Sequence, residues 1–401
     1  MIYCLRGKVK RFSTADNFTK INKTAGAAEE EKEMQIGLLG YGTVGKAFYA
    51  LTEEQPGLTC RALLTRRPRG TGALETDAFA AILNDPSIDT VVELIGGIHP
   101  AYDYIAAALR TKKNVVTANK AVVCAYYPEL IRLATENGVC LRCTAAAGGG
   151  IPWLCSLGRA ARMDRITAVE GILNGTTNYI VSEMTARSAG YGELLKEAQR
   201  LGYAEADPTD DVEGYDARRK LVLSADLAFD TVLKEDEVPC VGISHLNVMD
   251  IAWARERGLV WKLNARAERK DAAVSAFVCP TLFPINTPEA HTNGSRNLVS
   301  LYAKRIGKQS FSGAGAGGYP TASNVLADCM EIAQGAAPFY SDRPVSPLPV
   351  DNTDGVRTWL FRSYGRYTVR EETAADAFEA YRAALEGDRR SLLAYLPFGM
   401  L

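Results

Sequence analysis

Residues 36–51 read Ile36-Gly-Leu-Leu39-Gly40-Tyr-Gly42-Thr43-Val44-Gly45-Lys46-Ala-Phe-Tyr-Ala-Leu51, and the expected fold follows from this stretch. The apolar run Ile36–Leu39 is a short buried strand, and Lys46–Leu51 continues as helix. Between them stands G-x-G-x-x-G, in the strand-to-helix setting that gives the motif its meaning. Gly40 permits the tight turn, Gly42 lets a pyrophosphate approach the backbone, and Gly45 lets the helix pack on the strand. The helix start at Thr43 and Val44 then offers unpaired N–H groups and a positive dipole end to phosphates. Strand-like runs near 58–65, 89–95, 114–118 and 139–146 alternate with helical segments, which predicts a parallel, doubly wound sheet. The expected class is α/β, with a Rossmann-type dinucleotide-binding domain over 34–150.

A NAD-preferring site carries an acid for the ribose hydroxyls about 20 residues beyond the third glycine. Here the second strand ends in Thr65-Arg66-Arg67-Pro68-Arg69, with no acid before Glu75. Arg66 and Arg67 favour a 2′-phosphate, so NADP is the expected cofactor, with NAD as the alternative. The competing reading is a solvated basic turn. Glu93-Leu-Ile-Gly96-Gly97 closes the third strand with glycines that would let backbone approach a nicotinamide. Val115-Val-Thr-Ala-Asn119-Lys120 closes the fourth, and Lys120 either points into the crevice or starts a helix toward solvent. His99, His245 and His291 have no acid close by in sequence and are set aside.

Composition bounds the rest. Among 401 residues, 46 basic face 47 acidic, and 47% are hydrophobic. That is an ordinary soluble chain, long enough for two cores. No basic block tracks a phosphate backbone, and no apolar run reaches the roughly 20 residues of a membrane span, so neither nucleic acid nor membrane is expected as a partner. Nine cysteines without paired spacing suit reduced thiols and a cytoplasmic location. Residues 1–33 carry lysines and then glutamates without an apolar core, which predicts a disordered extension rather than a secretory signal.

Beyond the first sheet, Thr144-Ala-Ala-Ala147-Gly148-Gly149-Gly150-Ile151-Pro152 is read either as a glycine hinge or as a run of carbonyls able to hold a hard monovalent cation. Residues 151–314 then form an α+β domain with a mostly antiparallel sheet, whose free face or edge suits dimerisation. Its expected strands are Arg165–Leu173, Val260–Arg269, Ala272–Leu282 and Asn297–Arg305. Asn174-Gly-Thr-Thr-Asn-Tyr179 opens a helix through polar capping. The segment Gly202-Tyr-Ala-Glu205-Ala-Asp-Pro-Thr-Asp-Asp211-Val-Glu-Gly-Tyr-Asp216-Ala-Arg-Arg-Lys220 gathers six carboxylates and ends in an i,i+4 Asp216/Lys220 pair on one helix face. That pair suits proton chemistry, or is an ordinary surface ion pair. Gly313–Ser323, with a helix near 321–334, returns to the first domain and closes its crevice over about 315–340. The tail 341–401 shows a strand-like run Val356–Val369 and a helix near 374–386, and is assigned no role.

Taken together, Gly40–Gly45, Glu93–Gly97, Thr117–Lys120, Gly149–Pro152, Gly171–Tyr179 and Gly202–Lys220 resemble homoserine dehydrogenase, in the family's order, over roughly residues 34–335. The resemblance implies NAD(P)-dependent interconversion of L-aspartate 4-semialdehyde and L-homoserine, a step toward threonine and methionine. It implies Lys220 as the catalytic lysine with Asp216 beside it. It also implies Glu205 on the substrate ammonium, Asp211 in the substrate site and Lys120 between substrate and cofactor. Gly202 and Gly317 match cofactor-loop glycines. Thr144, Ala147, Gly149 and Ile151 match backbone positions of a Na⁺ or K⁺ site, where the family has a glutamate at the position of Thr144. The tail lacks a full regulatory ACT domain. A homodimer or higher homo-oligomer is expected.

Overall fold

The structure, a computed structural model, describes residues 33–338, 340 and 346–397. The extension expected over 1–33 lies outside them except for Glu33. Strands β1 (Met34–Leu39), β2 (Leu58–Leu64), β3 (Leu74–Thr76), β4 (Thr90–Glu93), β5 (Asn114–Thr117) and β6 (Leu141–Arg142) form a parallel sheet in the order β3-β2-β1-β4-β5-β6. The inner strands β1 and β4 are buried on both faces because helices cover both. On one face, Phe48 of the Thr43–Glu54 helix packs with Val325 and Cys329 of the Gly318–Ala333 helix. On the other lie Ile105, Leu109, Val122 and Leu130 of helices Ala101–Arg110 and Lys120–Asn137. The strand order reverses between β1 and β4, and a crevice opens at such a switch point beyond the strand ends.

The second sheet contains β7 (Ile166–Ile172), β8 (Leu259–Arg269), β9 (Val274–Pro284), β10 (Arg296–Ala303), β11 (Gly307–Ala314), β12 (Arg357–Ser363), β13 (Arg366–Glu372) and β14 (Leu392–Leu396). Their order is β11-β10-β7-β8-β9-β14-β12-β13, antiparallel throughout except for a parallel bridge between Tyr395 of β14 and Thr281 of β9. Helices Gly175–Arg187 and Tyr215–Phe229 cover one face, where Ile180 and Leu221 join Val169 and Ala265. Helix Ala374–Gly387 covers the opposite face, setting Phe378 among Phe277, Trp359 and Tyr395.

The α/β class and the mostly antiparallel second sheet agree with expectation, and several local readings are corrected. The strand expected over 139–146 shrinks to Leu141–Arg142. A 3-10 turn at Thr144–Ala146 follows, because Thr144 turns to bond Asp328. The run Val356–Val369 is two strands rather than one. Tyr364 (φ 50°) and Gly365 (φ 73°) make the two-residue turn that right-twisted hairpins favour. Strands β3, β11 and β14 were not anticipated, and β14 inserts the tail into the second sheet. Every cysteine among the described residues is a free thiol. No helix among them is long and apolar enough to cross a membrane.

Candidate active site

The fingerprint glycines divide their work. A side chain at Gly45 would overlap the Gly40 carbonyl, and one at Gly40 (φ 98°) would press on the Leu94 carbonyl. Gly42 faces open space. As N-cap of the Thr43–Glu54 helix it supplies no side-chain acceptor, so the first-turn N–H groups have no side-chain cap. Gly317 begins the Gly318–Ala333 helix in the same uncapped way, and Gly318 lies against Thr43. Two helix N-termini thus meet at one spot, and both dipoles favour an anion there. These residues fit a dinucleotide pyrophosphate.

A cleft of about 540 Å³ runs from Gly40 and Gly42 past Leu94 and Ile95 to Arg66 and Arg69. Arg67, expected beside Arg66, is not among its walls; Arg69 takes that place, and Asp77 is the acid in the same cleft. Glu75 is consumed locally, accepting from the backbone N–H groups of Arg69 (2.6 Å) and Thr71 (2.7 Å).

Beyond β4 the loop is knitted by one carboxylate. Glu93 accepts from the N–H groups of Ile95 (2.7 Å) and Gly96 (3.2 Å), while its other oxygen takes the Thr117 hydroxyl at 2.7 Å. Gly96 (φ 82°) and Gly97 (φ 73°) adopt left-handed backbone that glycine tolerates, leaving the loop open on its outer side. Asn119 caps the next helix by accepting from Val122 N–H, and its amide donates to the Gly97 carbonyl at 2.7 Å. Lys120 therefore starts from a fixed point. His99 does have an acid partner: its Nδ1 lies 2.9 Å from Asp103 Oδ2 in an exposed pair. That partner sits in the first turn of the next helix, at the same i,i+4 spacing as the Asp216/Lys220 pair.

Lys120, Asp216 and Lys220 come together, although Lys120 and Asp216 are 96 positions apart. Lys220 Nζ donates to Asp216 Oδ2 at 2.7 Å and to the Leu173 carbonyl at 2.8 Å, and Lys120 Nζ donates to the other Asp216 oxygen. The Asp216 and Lys220 side chains are only 6% and 11% exposed, so this is no surface ion pair. Lys120 keeps a third of its surface open. Burial pushes the Asp216 carboxyl up, but Lys220 and Lys120 together outweigh it and hold the group well below the usual range. Asn174 belongs to the cluster as well. Its Oδ1 caps the Gly175–Arg187 helix at Thr177 N–H, while its amide donates to Asp211 (2.6 Å) and Asp216 (2.9 Å). Sequence reading found only the cap. Burial, offset by Asn174, leaves the Asp211 carboxyl raised. Glu205 and Gly202 lie on the exposed loop before this cluster, which Thr176 ties down by donating to the Tyr203 carbonyl at 2.6 Å.

Two of the four carbonyls expected to hold a monovalent cation are engaged otherwise. The Asn324 amide donates to the carbonyls of Gly149 (2.6 Å) and Ile151 (3.0 Å). Thr144 gives its N–H and hydroxyl to Asp328, and Ala147 is fully buried. The set does not fit a cation: two of its four oxygens already receive a donor.

Residues 40–143 match the family described as "Homoserine dehydrogenase, NAD binding domain" and residues 152–330 the family described as "Homoserine dehydrogenase". A homoserine dehydrogenase of Synechocystis sp. is 41% identical over 317 residues, which are 75% of this chain and 73% of that protein. The crystal structure of a homoserine dehydrogenase from Thiobacillus denitrificans superposes with a TM-score of 0.82 at 29% identity, covering 90% of this chain and 98% of that one. A hyperthermophilic archaeal homoserine dehydrogenase, solved in complex with NADPH, shares the fold with a TM-score of 0.65 at 20% identity, over 76% and 99% of the two chains. The chain belongs to the homoserine dehydrogenase family, oxidoreductases that bind a nicotinamide cofactor.

Proposed function

We propose that the Lys120–Asp216–Lys220 cluster is where L-aspartate 4-semialdehyde is reduced and L-homoserine oxidised, with NADP as the preferred cofactor. The nicotinamide carries the hydride. As the aldehyde carbon is reduced, negative charge builds on its oxygen, and a fixed ammonium stabilises that charge and supplies the proton. Lys220 is the proton donor in this reading. An ammonium has three donors; Asp216 and the Leu173 carbonyl take two, leaving the third for substrate. That spare donor on a buried, oriented lysine is the observation that carries the proposal. Asp216 orients Lys220, and Lys120 stands on the open side between substrate and cofactor. Glu205 and Asp211 are assigned to the substrate ammonium and its surroundings. Gly202 joins Gly317 and the fingerprint along the cofactor.

The NADP preference rests on Arg66 and Arg69, two guanidinium groups in a cleft that holds one acid, Asp77. The archaeal relative solved with NADPH supports it. Self-association along β11, an edge strand with no residue fully buried, belongs to the same reading and is checked by the mass in solution. Mixing the purified protein with L-homoserine and either NADP or NAD, with L-serine and L-threonine as controls, tests the reaction and the preference. Homoserine-specific reduction of NADP is expected. Cofactor binding without oxidation of homoserine would defeat the assignment.

A further inference from the structure

The turn that leaves the first sheet, Thr144–Pro152, is clasped at two points by one helix. Asn324 and Asp328 stand one turn apart on the Gly318–Ala333 helix. Asp328 receives the N–H and hydroxyl of Thr144, at 2.9 and 2.7 Å. Asn324, buried at 7% exposure, reaches the carbonyls of Gly149 and Ile151. Carbonyl oxygens only accept, so the group between them must be the amide nitrogen, and its two hydrogens match the two acceptors. Buried carbonyls drawn toward one point need a positive partner, which is either a donor or a cation. Here the polypeptide provides the donor itself.

We propose that the Asn324 amide takes the place of a monovalent cation, gathering the Gly149 and Ile151 carbonyls and fixing the turn between the two sheets, so that the protein needs neither Na⁺ nor K⁺ there. Two further observations fit. Thr144 presents a hydroxyl committed to Asp328 and no carboxylate of its own to balance an ion. Gly149, at φ 57°, is pressed against the Gly315 carbonyl, and Gly150 N–H donates to the Ala314 carbonyl at 3.0 Å, so the turn is closed on its far side too.

Thermal melting tests this without reference to the reaction. The protein is melted in chloride salts of Na⁺, K⁺ and tetramethylammonium at equal ionic strength, each titrated. A ligand bound only by the folded state raises the midpoint with its concentration. The three midpoints are expected to agree within about 1 °C. A saturable rise with Na⁺ or K⁺ that tetramethylammonium does not give overturns the proposal. Asn324→Ala removes the donor, and Asn324→Asp replaces it with a third oxygen. In either variant a saturable stabilisation of about 2 °C or more by Na⁺ or K⁺, and not by tetramethylammonium, is expected. Its absence from both variants would mean that no positive partner is required at this point, and the proposal would fall.

Discussion

Lys120 and Asp216 form an ion pair between the helix that follows β5 and the helix that packs under the second sheet. Because Lys220 holds the other Asp216 oxygen, one carboxylate balances two ammonium groups. Asp216→Asn would leave a largely buried Lys220 without its counter-charge, which costs far more than losing a surface pair. Turnover is expected to fall by about 10²–10⁴. NADPH affinity, read by fluorescence titration, is expected to change little by comparison. Equal losses in both would point to misfolding around the cluster rather than lost chemistry.

Lys220→Ala is expected to separate proton transfer from binding. It should lower turnover by about 10²–10⁴ while leaving the NADPH dissociation constant nearly unchanged. Unchanged turnover would remove Lys220 from the mechanism.

Glu205→Gln keeps the size and polarity of the side chain but takes away the charge that the proposal sets opposite the substrate ammonium. A charge-assisted hydrogen bond contributes about 1.5–3 kcal/mol, so KM for L-homoserine should rise roughly 10- to 100-fold. With L-homoserine KM unaltered, the ammonium must be bound elsewhere.

Arg66→Ala and Arg69→Ala probe the end of the cleft that the proposal gives to the adenosine. Each should raise KM for NADP by about tenfold and leave KM for NAD within about twofold, since only the former carries the 2′-phosphate. A parallel loss with both cofactors would show that these arginines serve the fold of the 65–72 turn.

Asp328 gives a stability signature in pH. Burial raises its carboxyl to about 7, against the hydrogen bonds from Thr144 and the nearby Arg142 that pull the other way. The folded protein therefore keeps a proton that the unfolded chain releases near pH 4. Unfolding free energy from this group then declines as pH rises from about 4 to about 7, by up to ~1.4 kcal/mol per unit, and levels off above. Asp328→Asn has no proton to lose. Its stability relative to the wild type should climb across that window in urea melts, and a pH-independent difference would refute the buried-acid reading.

The first sheet was legible because its signals are local: glycine spacing, one strand and one helix decide Gly40–Leu51. The i,i+4 spacing likewise announced the Asp216/Lys220 pair. Spacing alone could not deliver Lys120 to Asp216, since that meeting needs the fold and entered only through the family resemblance. Asn174 was half read: capping accounts for its Oδ1, but its amide meets Asp211 and Asp216 only after helix Tyr215–Phe229 has docked. Arg69 replaced Arg67 because turn geometry, not sequence adjacency, selects which arginines face the cleft. The short β6 has a similar cause, since Thr144 answers to Asp328, 184 positions away. The Leu392–Leu396 run is too short to name its neighbours, and its place depends both on β12, some thirty residues earlier, and on β9, over a hundred residues earlier.

That last placement sets an order of assembly. β14 lies between β9 and β12, so the second sheet stays in two pieces until residue 396 has emerged from the ribosome. Earlier in synthesis, the β12–β13 hairpin has no strand to join, and Trp359 and Phe277 lack the Tyr395 ring that lies between 5 and 6 Å from each. The nascent chain thus exposes an apolar strand edge at β9 while all six strands of the first sheet are already made, a stretch of translation in which a chaperone would find something to hold.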